Sequence, residues 1–140
     1  MNNRSVLLDG SLLDAVLAPD SPRHAGACAL YSDLIDNYVA GRDLLFALST
    51  VLDRMPKTTR HGALAPITTL HVSGQHRAAA REVNGLEYPE DALTVVMLRR
   101  ERIKTIATAS DTWDGWDVEV LKAAISSRTE PPPDPAPPAE

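Results

Sequence analysis

A single cysteine, Cys28, is all the thiol the chain contains. That excludes an intramolecular disulfide framework and any cysteine-based zinc cluster, and it fits a reducing, cytoplasmic setting. Long apolar runs are missing as well. No segment approaches about 18 uninterrupted apolar residues, and the N-terminus has no charged lead followed by a long apolar stretch, so neither a membrane span nor a signal peptide is expected. Positive charge is in deficit, with 14 Lys and Arg against 19 Asp and Glu and a formal charge of -5. Such a balance argues against a protein that holds nucleic acid mainly through a strongly basic surface, while leaving room for a local basic rim. The histidines, His24, His61, His71 and His76, share no short zinc-binding spacing. No internal repeat is present.

What remains is enough for one ordinary domain with a single core, since 140 residues are too few for two comfortable ones. The domain is expected over residues 1–125. From Ser126 the chain loses apolar content, and Pro131, Pro132, Pro133, Pro135, Pro137 and Pro138 fill the end. Residues 126–140 are expected to be a disordered, solvated tail, with a proline-rich docking peptide as the alternative.

Within the domain, short apolar runs alternate with helical spacing. Val6-Leu7-Leu8 is too short for a helix, ends in Asp9, and is followed by Gly10-Ser11 before a helical segment over Leu12 to Leu17. His24 to Tyr38 has apolar residues three and four apart and is closed by Gly41. Asp43 to Ala47 suits a second buried strand. A further helix, capped by Ser49 or Thr50, carries Val51, Leu52 and Met55 up to Pro56. Lys57 to Ala65 has weak periodicity and reads as loop with some helix, and Pro66 to Val72 as an extended connection. Helices follow over Gly74 to Asn84 and from Tyr88-Pro89-Glu90-Asp91 to Arg102, the latter with proline and acids in its first turn. Thr105 to Ala109 is a third strand, running into Ser110-Asp111. Trp116 to Leu121 alternates like a half-exposed last strand, with Trp113 and Trp116 packed on it. The alternation predicts an α/β domain, a three-layer α/β/α sandwich with a mostly parallel central sheet.

In a parallel sheet, ligands bind outside the carboxyl ends of the strands. Asp9, Asp53, Asp91 and Asp111 are all expected there, after strands or at helix starts. Carboxylates about 4 Å apart repel by roughly 4 kcal/mol per pair at an effective dielectric of about 20, so four of them must share protons or hold cations. Oxygen ligation without His or Cys favours Mg²⁺ or Mn²⁺. Each acid also has a simpler reading: Asp9 as a capping carboxylate, Asp91 as a helix N-terminal charge, Asp111 as a turn initiator, Asp53 as a solvated face. Asp14, Asp114 and Asp117 read as surface acids, with Asp114 the nearest to an exception.

These stretches, Val6-Leu7-Leu8-Asp9-Gly10-Ser11, Val51-Leu52-Asp53, Glu90-Asp91-Ala92-Leu93 and Ile106 to Asp111, with Val118 to Leu121 closing the domain, resemble the PIN domain. The nearest subgroup is the VapC-like toxin ribonucleases, and the resemblance spans about residues 5 to 122. It implies that Asp9, Asp91 and Asp111 hold a divalent metal, Mg²⁺ or Mn²⁺. Ser11 orients Asp9, and Ser110 stands at the polar position before the fourth acid. Asp53 stands where the family usually has Glu, a side chain longer by roughly 1.5 Å. A displacement near 1 Å can cost on the order of 100-fold in catalysis. The implied chemistry is metal-dependent hydrolysis of RNA by a toxin. Its implied partners are RNA, a small antitoxin protein and a second copy of the chain as homodimer.

Two readings of other classes stand beside it. A catalytically weakened PIN-like module that binds protein or RNA is favoured by the Asp53 departure. A phosphatase-like hydrolase with Asp9 as nucleophile is disfavoured because no second acid follows two residues on. Arg54, Lys57, Arg60 and His61 form a basic group that either meets RNA phosphate or is simply solvated.

Overall fold

The computed structural model describes residues 3–125. The tail expected over 126–140 lies outside them. Strand β1 (Arg4–Leu8) leads into helix α1 (Gly10–Val16) and the long α2 (His24–Val39). Strand β2 (Asp43–Leu48), the short helices α3 (Ser49–Leu52) and α4 (Lys57–His61), and strand β3 (Thr68–Leu70) follow. Helices α5 (Gly74–Ala80) and α6 (Pro89–Arg100) then return the chain to β4 (Thr105–Thr108), and β5 (Glu119–Lys122) ends it.

The five strands form one all-parallel sheet in the order β3-β2-β1-β4-β5. Val6, Leu7 and Leu8 of β1 are fully buried, as expected of a central strand covered on both faces. The chain runs outward from β1 to β3, then crosses back to β4. Right-handed crossovers therefore place α1 and α2 on one face and α5 and α6 on the other. The reversal leaves a crevice between the carboxyl ends of β1 and β4, the topological switch point of the sheet.

Two glycines matter locally. Gly41 follows the C-cap of α2 with φ +78°, the left-handed residue that ends a helix. A Cβ at Gly26 would stand 2.2 Å from the Ala124 carbonyl oxygen, so α2 approaches the chain after β5 only because that residue has no side chain.

Several boundaries differ from expectation. Helix α3 stops at Leu52 because Arg54 and Met55 already bond back only three residues, in a tightened turn before Pro56. Its N-cap is Leu48, and the Ser49 hydroxyl accepts instead from the Val72 amide at 3.0 Å, tying the exit of β3 to α3. The extended connection at Pro66 to Val72 contains the edge strand β3. Helix α5 ends at Ala80, with Glu82 and Val83 in the same kind of tightened turn. The last strand starts at Glu119. Trp116 is turned back by a bond from its amide to the Trp113 carbonyl, and its ring packs edge-on to Trp113 with centroids 5.8 Å apart.

Candidate active site

Asp9 ends β1 and caps α1 with the same carboxylate. Oδ1 accepts from the Leu12 amide at 3.0 Å and from the Ser11 hydroxyl at 2.7 Å. Oδ2 accepts from the Thr108 hydroxyl at 2.6 Å and from the indole Nε1 of Trp113 at 3.0 Å. Among the described residues, four neutral donors and no cation thus surround an acid that is only 4% exposed. A hydroxyl has one proton to give. Ser11 and Thr108 each direct theirs at Asp9, and their oxygens in turn accept the amides of Ala109 and Ser110, both at 3.0 Å. The loop after β4 is thereby fastened to the acid after β1, across the switch point.

Asp91 reaches the same place from the first turn of α6. It is half-buried, and among the described residues its carboxylate takes neither a hydrogen bond nor an ion pair. Burial, then the negative charges of Asp9 and Glu90, push its carboxyl up to about 6. Asp43 shows what a structural acid looks like in this fold. It is 2% exposed, sits at the opposite end of the sheet, and is gripped in bidentate fashion by Arg4 at 3.0 and 2.9 Å. Asp91 has no such cation among the described residues.

Asp9 and Asp91 line one open cavity of about 460 Å³, together with Ser11 and Ser110. Glu90 and Asp14 add two more acids to its wall, and Arg54 stands between them, with Nη2 at 3.5 Å from Glu90 and 3.6 Å from Asp14. Gly10 leaves room for this pair, because a Cβ there would lie 2.7 Å from Glu90 Oε1 and 2.8 Å from Arg54 Nη2, and the ends of both side chains would have to shift.

The expected meeting of four acids is not what the fold produces. Asp53 is 74% exposed and faces Arg60 at 3.8 Å, because α3 ends just before it and turns its side chain outward. Asp111 is 68% exposed. Lys122 at 2.9 Å and Arg23 at 3.2 Å hold it by charge-assisted hydrogen bonds and keep its carboxyl below the usual range. Neither acid lines the cavity. Asp114 is also drawn to Lys122, at 2.9 Å, so of the acids read as surface groups it is Asp14 that joins the cavity.

Among the described residues, no group of three or more His, Cys, Asp or Glu could hold a metal ion by itself. Mg²⁺ does not require one: it is commonly held by one or two carboxylates, retaining waters and taking substrate phosphates. Asp91, whose oxygens take no partner among the described residues, fits that sparse kind of site, and Asp9, with two donors on each oxygen, would join it by giving one up. A cation there would offset the burial and the charges of Asp9 and Glu90 that raise the Asp91 carboxyl.

Arg54, read as part of a basic group that meets RNA phosphate or is solvated, lines the cavity, whereas Thr108, Trp113 and Asp14 were not legible as site residues. Thr108 carried the one available signal, a hydroxyl two residues ahead of Ser110 at a strand end. Nothing local distinguishes Trp113, whose bond to Asp9 spans most of the domain.

No protein-family model matches the chain, and no curated protein matches it. Among solved structures, the chain is similar to Mycobacterium tuberculosis VapC20, a toxin that cleaves the sarcin–ricin loop. The TM-score is 0.57 at 15% identity, over 82% of this chain and 98% of that one. At that identity the likeness concerns the fold, and the fold is the PIN-like α/β/α sandwich that the sequence resembles.

Proposed function

From a fold shared with a ribonuclease toxin and an acidic cavity at its switch point, we propose that this chain is a divalent-metal-dependent endoribonuclease. The observation that carries the reading is Asp91: a half-buried carboxylate with no partner among the described residues, raised to about 6 beside Asp9 in an open cavity. Structural acids are paired, whereas acids held unpaired and perturbed in a cleft belong to binding or catalysis. Asp9 and Asp91 would hold Mg²⁺ or Mn²⁺, and such an ion, when bound, polarises phosphate oxygens and makes a water nucleophilic at neutral pH.

The chain's own residues do the positioning. Ser11, Thr108, Trp113 and the Leu12 amide fix both oxygens of Asp9, so its orientation is set before substrate arrives. Helix α6 presents Asp91 from the facing side. Arg54 offsets Glu90 and Asp14 and stands where a phosphate oxygen can meet a guanidinium. Asp53 and Asp111 keep their ion pairs outside the cavity, and a role for either in catalysis requires leaving them. RNA as substrate, a small antitoxin protein as inhibitor and a homodimeric state belong to this same reading.

The test is cleavage of RNA by the purified protein with Mg²⁺ or Mn²⁺, with chelator, and after Asp91→Asn. Cutting that needs the ion and Asp91 is the expected result; undiminished cutting by the variant would sink the assignment. The separation of Asp53 and Asp111 from the cavity favours one second reading, a PIN-like module that binds RNA or protein without robust catalysis. Calorimetry showing no divalent-ion binding at millimolar concentration would turn the conclusion to it.

A further inference from the structure

A second cavity, about 400 Å³, lies between α5 and α6. Tyr88 and Pro89 line both it and the acidic cavity, so the two depressions adjoin along these residues. Its floor is apolar and made mainly of small or branched side chains, with Ala80, Ala92 and Leu93 buried beneath it. Arg77 and Arg81 stand one helical turn apart on its rim, exposed and, among the described residues, in no ion pair. Among the described residues, Glu87 is the single acid on that rim.

Tyr88 itself is 61% exposed. It is the N-cap residue of α6 but makes no side-chain capping bond, so the phenol is not needed to start the helix. An aromatic ring held out beside the acids, with two unpaired cations one step further along an apolar floor, is the equipment of a stacking platform with sites for phosphate. An acidic peptide would use the arginines but has no need of the ring. A single nucleotide strand uses both, because every base offers a π-face and every linkage a negative charge.

We propose that the α5–α6 groove is the subsite for the nucleotide next to the bond cut in the acidic cavity, with its base stacked on Tyr88 and its flanking phosphates on Arg77 and Arg81. The proposal rests on the ribonuclease reading, and it makes the preferred substrate an unpaired stretch of RNA, since only an unstacked base can lie on the ring.

The experiment measures binding of a fluorescently labelled, unstructured oligoribonucleotide by anisotropy. It is done with Mg²⁺ in the Asp91→Asn background, so that affinity is read without cleavage. Adding Tyr88→Ala is expected to weaken binding roughly 5- to 150-fold, the span that removing a stacking partner produces. Tyr88→Phe, which keeps the ring, should restore it. Arg77→Gln with Arg81→Gln should lower the slope of log affinity against log salt by about 1.4, since each phosphate of a single strand that is no longer neutralised accounts for about 0.7. Melting temperatures close to the background's would show that the variants are folded. If folded Tyr88→Ala and the double arginine variant bind like the background, the groove assignment is overturned, and wild-type cleavage would stand without it. If the wild-type protein neither binds nor cuts RNA with Mg²⁺ or Mn²⁺, the ribonuclease reading falls and takes the groove with it.

Discussion

The indole nitrogen of Trp113 donates to Oδ2 of Asp9 at 3.0 Å, with both side chains buried and the two residues 104 positions apart in the chain. This bond joins the loop after β4 to the end of β1, and it makes a core aromatic part of the shell around the acid. The ring does the work of a core residue, while its one polar atom holds an acid of the cavity.

Replacing Trp113 by Phe keeps most of the ring but leaves Asp9 short of a donor. Thr108 still donates to that oxygen, so the loss is one hydrogen bond to a charged group, about 1.5–3 kcal/mol. We expect urea denaturation to show a loss of that order. Cleavage should fall about 10- to 100-fold as the carboxylate loses its fixed orientation. Thr108→Val, which removes the donor on the same oxygen, should resemble it. Unchanged stability and unchanged cleavage in both variants would contradict the role given to the shell.

Asp91 sets a pH dependence. An unfolded aspartate titrates near 3.8, and Asp91 in the folded chain at about 6, so between these values the folded state binds more protons. Stability from this group is therefore full below the lower value and is lost as pH rises through the upper one. Asp91→Asn escapes the loss. With chelator present, it should be more stable than the parent at pH 8 by on the order of 1 kcal/mol, allowing for screening by solvent, and the gap should close toward pH 4. A gap of equal size at both pH values would show that the carboxylate is not raised by its surroundings.

The same protonation competes with a cation. Calorimetric titration with Mg²⁺ should show the apparent affinity falling below about pH 6, with proton release on binding in that range. Affinity independent of pH between 5 and 7 would place the ion away from Asp91.

Asp53 and Asp111 offer a contrast within one set of variants. Asp53→Asn alters an exposed side chain with one distant ion pair, so stability should stay within about 0.5 kcal/mol. Cleavage by Asp53→Asn and by Asp111→Asn should remain far above that of Asp91→Asn, because neither lines the cavity. Loss in either equal to that of Asp91→Asn would mean that the acid enters the site when substrate binds.

Gly26 tests the fold apart from the site. In Gly26→Ala the new methyl would meet backbone atoms of Ala124 at 2.2 and 2.5 Å, and backbone, unlike the end of a flexible side chain, has little room to give. We expect destabilisation of about 1–3 kcal/mol by chemical denaturation. An unchanged midpoint would mean that the chain after β5 is not held against α2.

The layers and their order were legible in the sequence. Val6 to Leu8, Asp43 to Leu48 and Thr105 to Thr108 are short apolar runs, and the helical spacing of His24 to Val39 and the proline-and-acid start of α6 separate them; burial on both faces leaves such runs few alternatives to a parallel sheet. Asp9 and Asp91 were legible at a strand end and a helix start, because these are local positions with local chemical signatures. Boundaries set by turns were less so: Trp116 reads as strand by alternation, yet its place is fixed by a ring contact with Trp113. Which acids meet is a matter of tertiary packing alone. An acid near a strand end turns inward or outward according to the cations within reach. Asp111 is held out by Lys122 and Arg23, and Asp53 lies toward Arg60, while half-buried Asp91 meets no cation among the described residues. Those partners come from distant segments, so the charge left unpaired at the switch point is a property of the packed chain and not of any stretch of it.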